Sequence, residues 1–169
     1  KENRDLDLKR EDFDFHLPMG SLYKHFFYEI NQNVRVNPFL FADQLRVKFW
    51  KQRLKSLGCG PFIGICWKSS NITSTRQPNY AKISDLYPVL KLPNVTFINL
   101  QNSEFKDDLT KTYGETGIKI HNFDDLNQYD DLDDVASLCS ALDVVISIKT
   151  TVAFIAAGVG TITKLANWR

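Results

Sequence analysis

The sequence predicts an α/β fold, a doubly wound, Rossmann-like parallel sheet of five strands in the order 3-2-1-4-5. Two observations lead there. From Pro61 onward, five short apolar runs of strand length alternate with four helical patterns, and such alternation builds a parallel sheet with helices on both faces. The runs are also nearly continuous in apolar character, as expected of strands buried on both sides.

Residues 1–12 are charged and read as loose. "FDFHLPM" (13–19) alternates apolar and polar residues, which predicts a short strand. Gly20-Ser21 then offers a turn and an N-cap for a short helix over "LYKHFFYEI". "NQNVRVNPFLF" (31–41), with three Asn and a Pro, reads as an extended connection. In "ADQLRVKFWKQRLKSLGCG", Leu45, Phe49/Trp50, Leu54 and Leu57 recur at helical spacing. Asp43 can cap the start and Gly58 the end, so an amphipathic helix is predicted over 43–57, with Phe49 and Trp50 packing on its face.

The predicted strands are "FIGICW" (62–67), "VTFINL" (95–100), "IKIHNF" (118–123), "DVVISI" (143–148) and "TITKLA" (161–166). The helical patterns between them are "KISDLYPVL", "EFKDDLTKTY", "DLDDVASLCSAL" and "TVAFIAAG". Pro88 must sit near the first turn of its helix or kink it. In the second pattern Phe105, Leu109 and Tyr113 fall at i, i+4 and i+8. In the third, Leu132, Val135, Leu138 and Leu142 share a face.

With 169 residues, 43% hydrophobic and 24% charged, the chain has the composition of a soluble globular protein. Its net charge of +1 gives no electrostatic footprint for nucleic acid or an anionic membrane surface. No apolar run approaches the ~18–20 residues that span a bilayer, and no signal peptide opens the chain. Cys59, Cys66 and Cys139 are odd in number and form no C-x-x-C pair, so no disulfide frame or zinc site is predicted. Cys66 and Cys139 read as buried thiols of a cytoplasmic protein, and the sequons at Asn71 and Asn94 as chance.

In this strand order the first and fourth strands are neighbours and the crossovers reverse direction between them, which is where such sheets bind ligands. That places "KSSNITSTRQPN" beside "KTT". The second joint is a helix N-terminus, with unpaired N–H groups and a positive dipole end. Lys68, Arg76, Lys149, Thr150 and Thr151 therefore predict an anion site, most simply for a phosphate or diphosphate. The Asp-rich run 123–134 lacks the Gly and terminal Glu of a calcium loop, so no metal is predicted there. Asp131 and Asp134 read as helix caps, and a carboxylate there is within reach of a ribose hydroxyl. His121, within a strand pattern, reads as structural. The turn after the first strand, "WKSSN", lacks G-x-G-x-x-G, which argues against a dinucleotide oxidoreductase.

The motifs "DFHLPMGSLYKHF", "RVKFWKQRL", "GPFIGICWKSSN", "ISDLYPVLKLPNVTFINLQ" and "DLDDVASLCSALDVVISIKTTVAFIAAGVGT" together resemble bacterial glycosyltransferases of GT-B fold associated with tetratricopeptide repeats. Heptosyltransferases and the O-GlcNAc transferase catalytic region are more distant relatives of that architecture. The resemblance covers roughly residues 12–168.

It implies an acceptor-side tail and linker at 1–42, an interdomain helix at 43–60 and a C-terminally truncated nucleotide-sugar-binding domain at 61–169. It further implies that Lys68, Ser69, Ser70, Arg76, Lys149, Thr150 and Thr151 flank a donor diphosphate. Gln101, with the 121–125 loop and Asp124, borders the base or ribose, as Asp131 does by its position. His16 is the candidate base of the N-terminal domain.

The implied function is metal-independent transfer, in the full-length parent, from a nucleotide-diphosphate sugar to a glycan, lipid or protein acceptor; the fragment alone is expected to be inactive. The alternatives are a non-catalytic nucleotide- or sugar-binding module and a nucleotide-sugar epimerase of the same fold. Two positions depart from the family pattern: Lys149 stands where many members carry Asp, and Phe154 where many carry His.

Overall fold

The structure is a computed structural model that describes residues 14–15, 17–18, 20–22, 24–26, 37–69 and 81–166. The chain divides into two units, Lys1–Val36 and Asn37–Arg169. In the first, the described residues 20–22 and 24–26 are helical, and the Ser21 N–H donates to the Pro18 carbonyl at 2.8 Å. Of the strand predicted over 13–19, Asp14, Phe15, Leu17 and Pro18 are described and are not in a strand. The rest of that stretch, His16 included, lies outside the described residues.

The second unit opens with an extended segment, 37–43, leading into α1, Gln44–Leu57. Asp43 caps α1, its carboxylate accepting from the N–H groups of Leu45 (2.7 Å) and Arg46 (3.3 Å). Gly58 follows at φ +152°, a left-handed backbone open to glycine. The buried face of α1 is Val47, Trp50 and Leu54, at spacings of three and four. Leu45, predicted on that face, is 80% exposed.

β1, Phe62–Cys66, is followed by a 3₁₀ turn at Ile83–Leu86 that runs into α2, Tyr87–Leu90. Pro88 lies in the first turn of α2, where no helical N–H partner is needed. Then come β2 (Thr96–Asn99), α3 (Lys106–Thr116), β3 (Ile120–His121), α4 (Leu132–Ala141), β4 (Val144–Ser147), α5 (Thr151–Gly158) and β5 (Ile162–Leu165). All pairings are parallel, and the order is β3-β2-β1-β4-β5. The expected five-stranded, Rossmann-like sheet is the one found.

Side chains alternate along the central strands, so the core has two layers. Ile63, Ile65, Trp67 and Phe97 join Leu86 and Leu90 on one face. Cys66, Ile98, Leu100 and Val145 join Trp50, Leu54, Val135, Leu138, Val152 and Ile155 on the other. Each fully buried large side chain contributes roughly 1.5–3 kcal/mol. Gly64 faces the second layer, where a Cβ would come within 2.4 Å of Leu100 Cδ1 and 2.7 Å of Leu142 Cδ1. The β1–β4 seam is closed at its lower end by a reciprocal pair: Phe62 N–H donates to the Asp143 carboxylate (2.7 Å) and Asp143 N–H to the Phe62 carbonyl (3.0 Å).

At the far end of α5, the N–H groups of Phe39 and Leu40 both donate to the Gly158 carbonyl, at 2.9 and 3.0 Å. A Cβ at Gly158 would meet Leu40 Cδ1 at 2.6 Å, and one at Gly160 would meet Pro38 Cγ at 2.6 Å. Two glycines thus let the 37–40 segment lie directly on the backbone.

Candidate functional site: the crevice between β1 and β4

β1 and β4 are hydrogen-bonded neighbours, and their carboxyl ends lead into the 67–69 and 148–150 segments. The two segments touch. Ile148 N–H donates to the Cys66 carbonyl (3.2 Å), and Cys66 Sγ lies 3.7 Å from Thr150 Oγ1. A hollow of about 280 Å³ opens above them, lined by Cys66, Ser69, Asn102, Lys149, Thr150, Thr151, Val152 and Phe154.

The start of α5 is unusual in how it is capped. Thr150 occupies the N-cap position in an extended backbone (φ −125°, ψ 168°), but its hydroxyl makes no capping bond. It is held instead by Ser147 Oγ at 3.0 Å, beside Cys66 Sγ. No acidic side chain stands in the first turn. The leading N–H groups therefore have no side-chain acceptor from the cap, and the positive end of the helix dipole is not offset locally. Lys149, exposed, stands beside this terminus with no ion pair among the described residues.

The other loop is tied down. Gln101, fully buried, accepts from the N–H groups of Trp67 (3.2 Å) and Lys68 (3.0 Å) through Oε1, and donates through Nε2 to the Lys68 carbonyl (2.7 Å) and Ser103 Oγ (2.7 Å). Lys68 Nζ is paired with Asp108 at 2.7 Å, and Trp67 Nε1 donates to the same oxygen at 3.0 Å. A larger hollow, about 490 Å³, lies beside this pair, but its rim carries Glu104, Asp107 and Asp108 against Lys68 and Lys106. Net acidity makes it a poor anion site.

Across Asn102 lies a third hollow of about 260 Å³, rich in amides: Gln101, Asn102, Asn122, Asn127 and Gln128, with Asp124 among them. Buried Asn99 on β2 donates to Asn122 Oδ1 (2.8 Å), and Asn122 donates to Asp124 Oδ1 (2.6 Å).

The structure thus brings Lys149, Thr150, Thr151 and Ser69 to one hollow and places Gln101 and Asp124 at the next. Lys68 stands at the rim of the larger one, against Asp108. Asp131 is elsewhere: it caps α4, accepting from Asp134 N–H at 2.9 Å, and pairs with Arg46 at 3.1 Å. His16, Ser70 and Arg76 lie outside the described residues. Asn99, Asn102, Gln128 and Asp108 are the polar residues that sequence reading passed over. The signal that could have found Asn102 is an amide just past a strand, in "INLQN"; Asn99 within β2, Asp108 within α3 and Gln128 in the loop before α4 carry no such mark.

Burial pushes the Cys66 thiol up, against smaller opposing contributions from Thr150, Ser147 and the Lys68 backbone. Cys139, fully buried, is pushed up to about 12, again chiefly by burial. Both are neutral thiols at physiological pH and not nucleophiles. His121 on β3 is lowered, first by burial and then by Lys119. Among the described residues no group of His, Cys, Asp and Glu is arranged to hold a metal ion, and no helix is long and apolar enough to cross a membrane.

The chain is similar to Protein FlbA of Caulobacter vibrioides, with 35% identity over 136 residues. That match covers 78% of this chain and 23% of the relative, so the chain spans about a quarter of that protein's length. No family model matches the chain, and no solved structure matches it. These findings correct the expected family. The relative is Protein FlbA and not a glycosyltransferase, and the association with tetratricopeptide repeats has no support in the comparisons. Glycosyl transfer, a nucleotide-sugar donor and the sugar-nucleotide alternatives are set aside with it.

Proposed function

We propose that the 37–169 unit is a binding domain for a small anionic molecule, a phosphate monoester in the first instance, held at the β1/β4 crevice. The observation that carries this reading is the start of α5. Its N–H groups have no side-chain cap, a lysine without an ion pair among the described residues stands beside them, and a hollow of ligand size lies in front. Lys149 supplies the formal charge, the N–H groups of the first turn supply directional donors, and the Thr151 hydroxyl adds one more. Ser147 and Cys66 hold the Thr150 hydroxyl, so it shapes the floor of the crevice. No metal is required, because the cation and the amide donors already balance a phosphate.

The test is thermal denaturation of the 169-residue chain with ethyl phosphate, inorganic phosphate or acetate, against sodium chloride at matched ionic strength. A monoester present at about 100 times its dissociation constant adds about 2.7 kcal/mol of stability. Lys149→Ala should weaken binding about tenfold, the loss of one charge-assisted contact. No stabilisation by any of the anions, or binding that Lys149→Ala leaves untouched, refutes the proposal.

A further inference from the structure

The crevice at the start of α5 is larger than a phosphate needs. It holds about 280 Å³, whereas an apolar cavity of about 150 Å³ is enough for a benzene ring. A phosphate at the first-turn N–H groups therefore leaves room for an organic group of about one ring. The wall decides what kind of group that is.

Phe154 lines the same hollow as Lys149, Thr150 and Thr151. Among the large side chains of α5 it is the one left outside the core. Val152 and Ile155 are 5% and 8% exposed, and Phe154 is 67% exposed. An exposed aromatic by itself is ordinary on a protein surface, but the place of this one is not. The Phe154 N–H donates to the Thr150 carbonyl at 3.3 Å, so the residue stands one turn beyond the N-cap. Side chains on a helix lean toward its N-terminus and cover the turn before their own Cα. The ring is thus carried back toward the first turn, beside the N–H groups that would hold the anion. Among the described residues no other ring and no cation packs on its face. Lys149 is the one charged residue of the lining. The hollow offers one cation and one open aromatic face, and these match the two halves of an aromatic phosphate.

We infer that the ligand at the start of α5 is a phosphate monoester of a single aromatic ring, with its phosphate against Lys149 and its ring packed on Phe154. This inference rests on the anion-binding reading and narrows it to a ligand class. Lys149 then sets how tightly the anion is held, and Phe154 sets which organic group follows it. Stacked rings attract beyond the area they bury, so a flat ring is preferred to a saturated one of the same size.

The experiment is calorimetric titration of the full chain with phenyl, cyclohexyl and ethyl phosphate and with inorganic phosphate. Phenyl phosphate should bind about tenfold tighter than ethyl phosphate and about threefold tighter than cyclohexyl phosphate. Phe154→Leu, a change at an exposed position, should remove the preference for phenyl over cyclohexyl. Phe154→Ala should remove the preference over ethyl as well, while inorganic phosphate binds both variants as it binds wild type. Equal affinities for phenyl and cyclohexyl phosphate, or a phenyl preference that survives Phe154→Ala, overturn the inference and leave the anion site standing. Loss of inorganic phosphate binding in Phe154→Ala overturns it too, because Phe154 would then support the helix start and not meet the ligand. If none of the four binds, the anion site itself is refuted.

Discussion

Two regions of the 37–169 unit use the same residue types in opposite ways. Where α1 meets the 123–134 stretch, side chains pair across the seam. Arg53 makes a two-pronged pair with Asp125 and lies over the rings of Phe49, Trp50 and Phe123, at 5.5, 4.9 and 4.5 Å from their centroids. Arg46 bridges Asp131 and Asp134, and Trp50 Nε1 donates to Asp134 at 2.8 Å. At the β1/β4 crevice, Lys149 has no such counterpart among the described residues, and α5 lacks a side-chain cap. Saturation marks the region that holds the domain together, and open valence marks the region that can accept something else.

The sharpest way to break this contrast is at Trp50, which is 1% exposed. Trp50→Ala removes a core aromatic and its hydrogen bond to Asp134, so urea denaturation should show a loss of about 3–5 kcal/mol. A loss under about 1 kcal/mol would mean that the clasp is not structural.

Arg53 gives a smaller, pH-dependent effect. Arg53→Ala should cost about 1–2 kcal/mol at neutral pH, mainly through lost ring packing. The ion-pair share is identifiable by its pH dependence. The hydrogen bond from Arg53 holds the Asp125 carboxyl below its ordinary value, with burial opposing slightly. A carboxyl lowered by folding stabilises the native state above its unfolded pKa, about 3.9, and that contribution fades as pH falls through the lower folded value. The gap between wild type and Asp125→Asn should therefore be constant from neutral pH down to the ordinary aspartate range and close below it. Widening of that gap in acid would contradict the pairing.

The smallest effect belongs to the crevice. Lys149→Ala, without ligand, should change stability by less than about 0.5 kcal/mol, because nothing in the fold leans on that ammonium. A larger destabilisation would move Lys149 from the open region to the saturated one.

Much of the fold could be read in the residues. The strand order followed from alternation, and α5 coincides with its predicted span because an apolar helix between Thr150 and two glycines has few other ways to lie. Where reading failed, geometry explains it. Phe105, Leu109 and Tyr113 were placed on one face of α3, yet Tyr113 is 60% exposed and Thr112 fully buried. At 3.6 residues per turn, eight residues advance the face by about 80°, and seven fall short of two turns by only about 20°. β3 is two residues long, not six: only Ile120 and His121 pair with β2, opposite Phe97 and Ile98, and the Asn122 side chain beyond them bonds Asn99 and Asp124. The candidate site was half visible. Lys149 and the threonines announced themselves at a strand-to-helix joint. Of the amides, Gln101 and the 121–125 loop entered only through the family resemblance, and Asn99, Asn102 and Gln128 gave no sign, since an Asn near a strand end is ordinary until the neighbouring strand shows which Asn it meets.

The docking of Phe39 and Leu40 onto the Gly158 carbonyl has a consequence for biosynthesis. The segment that fastens there leaves the ribosome more than a hundred residues ahead of its landing place. Until α5 emerges, Phe39 and Leu40 must wait without their partner, so this join closes late, and a bulky residue at position 158 would leave the finished domain unlatched at its first residues.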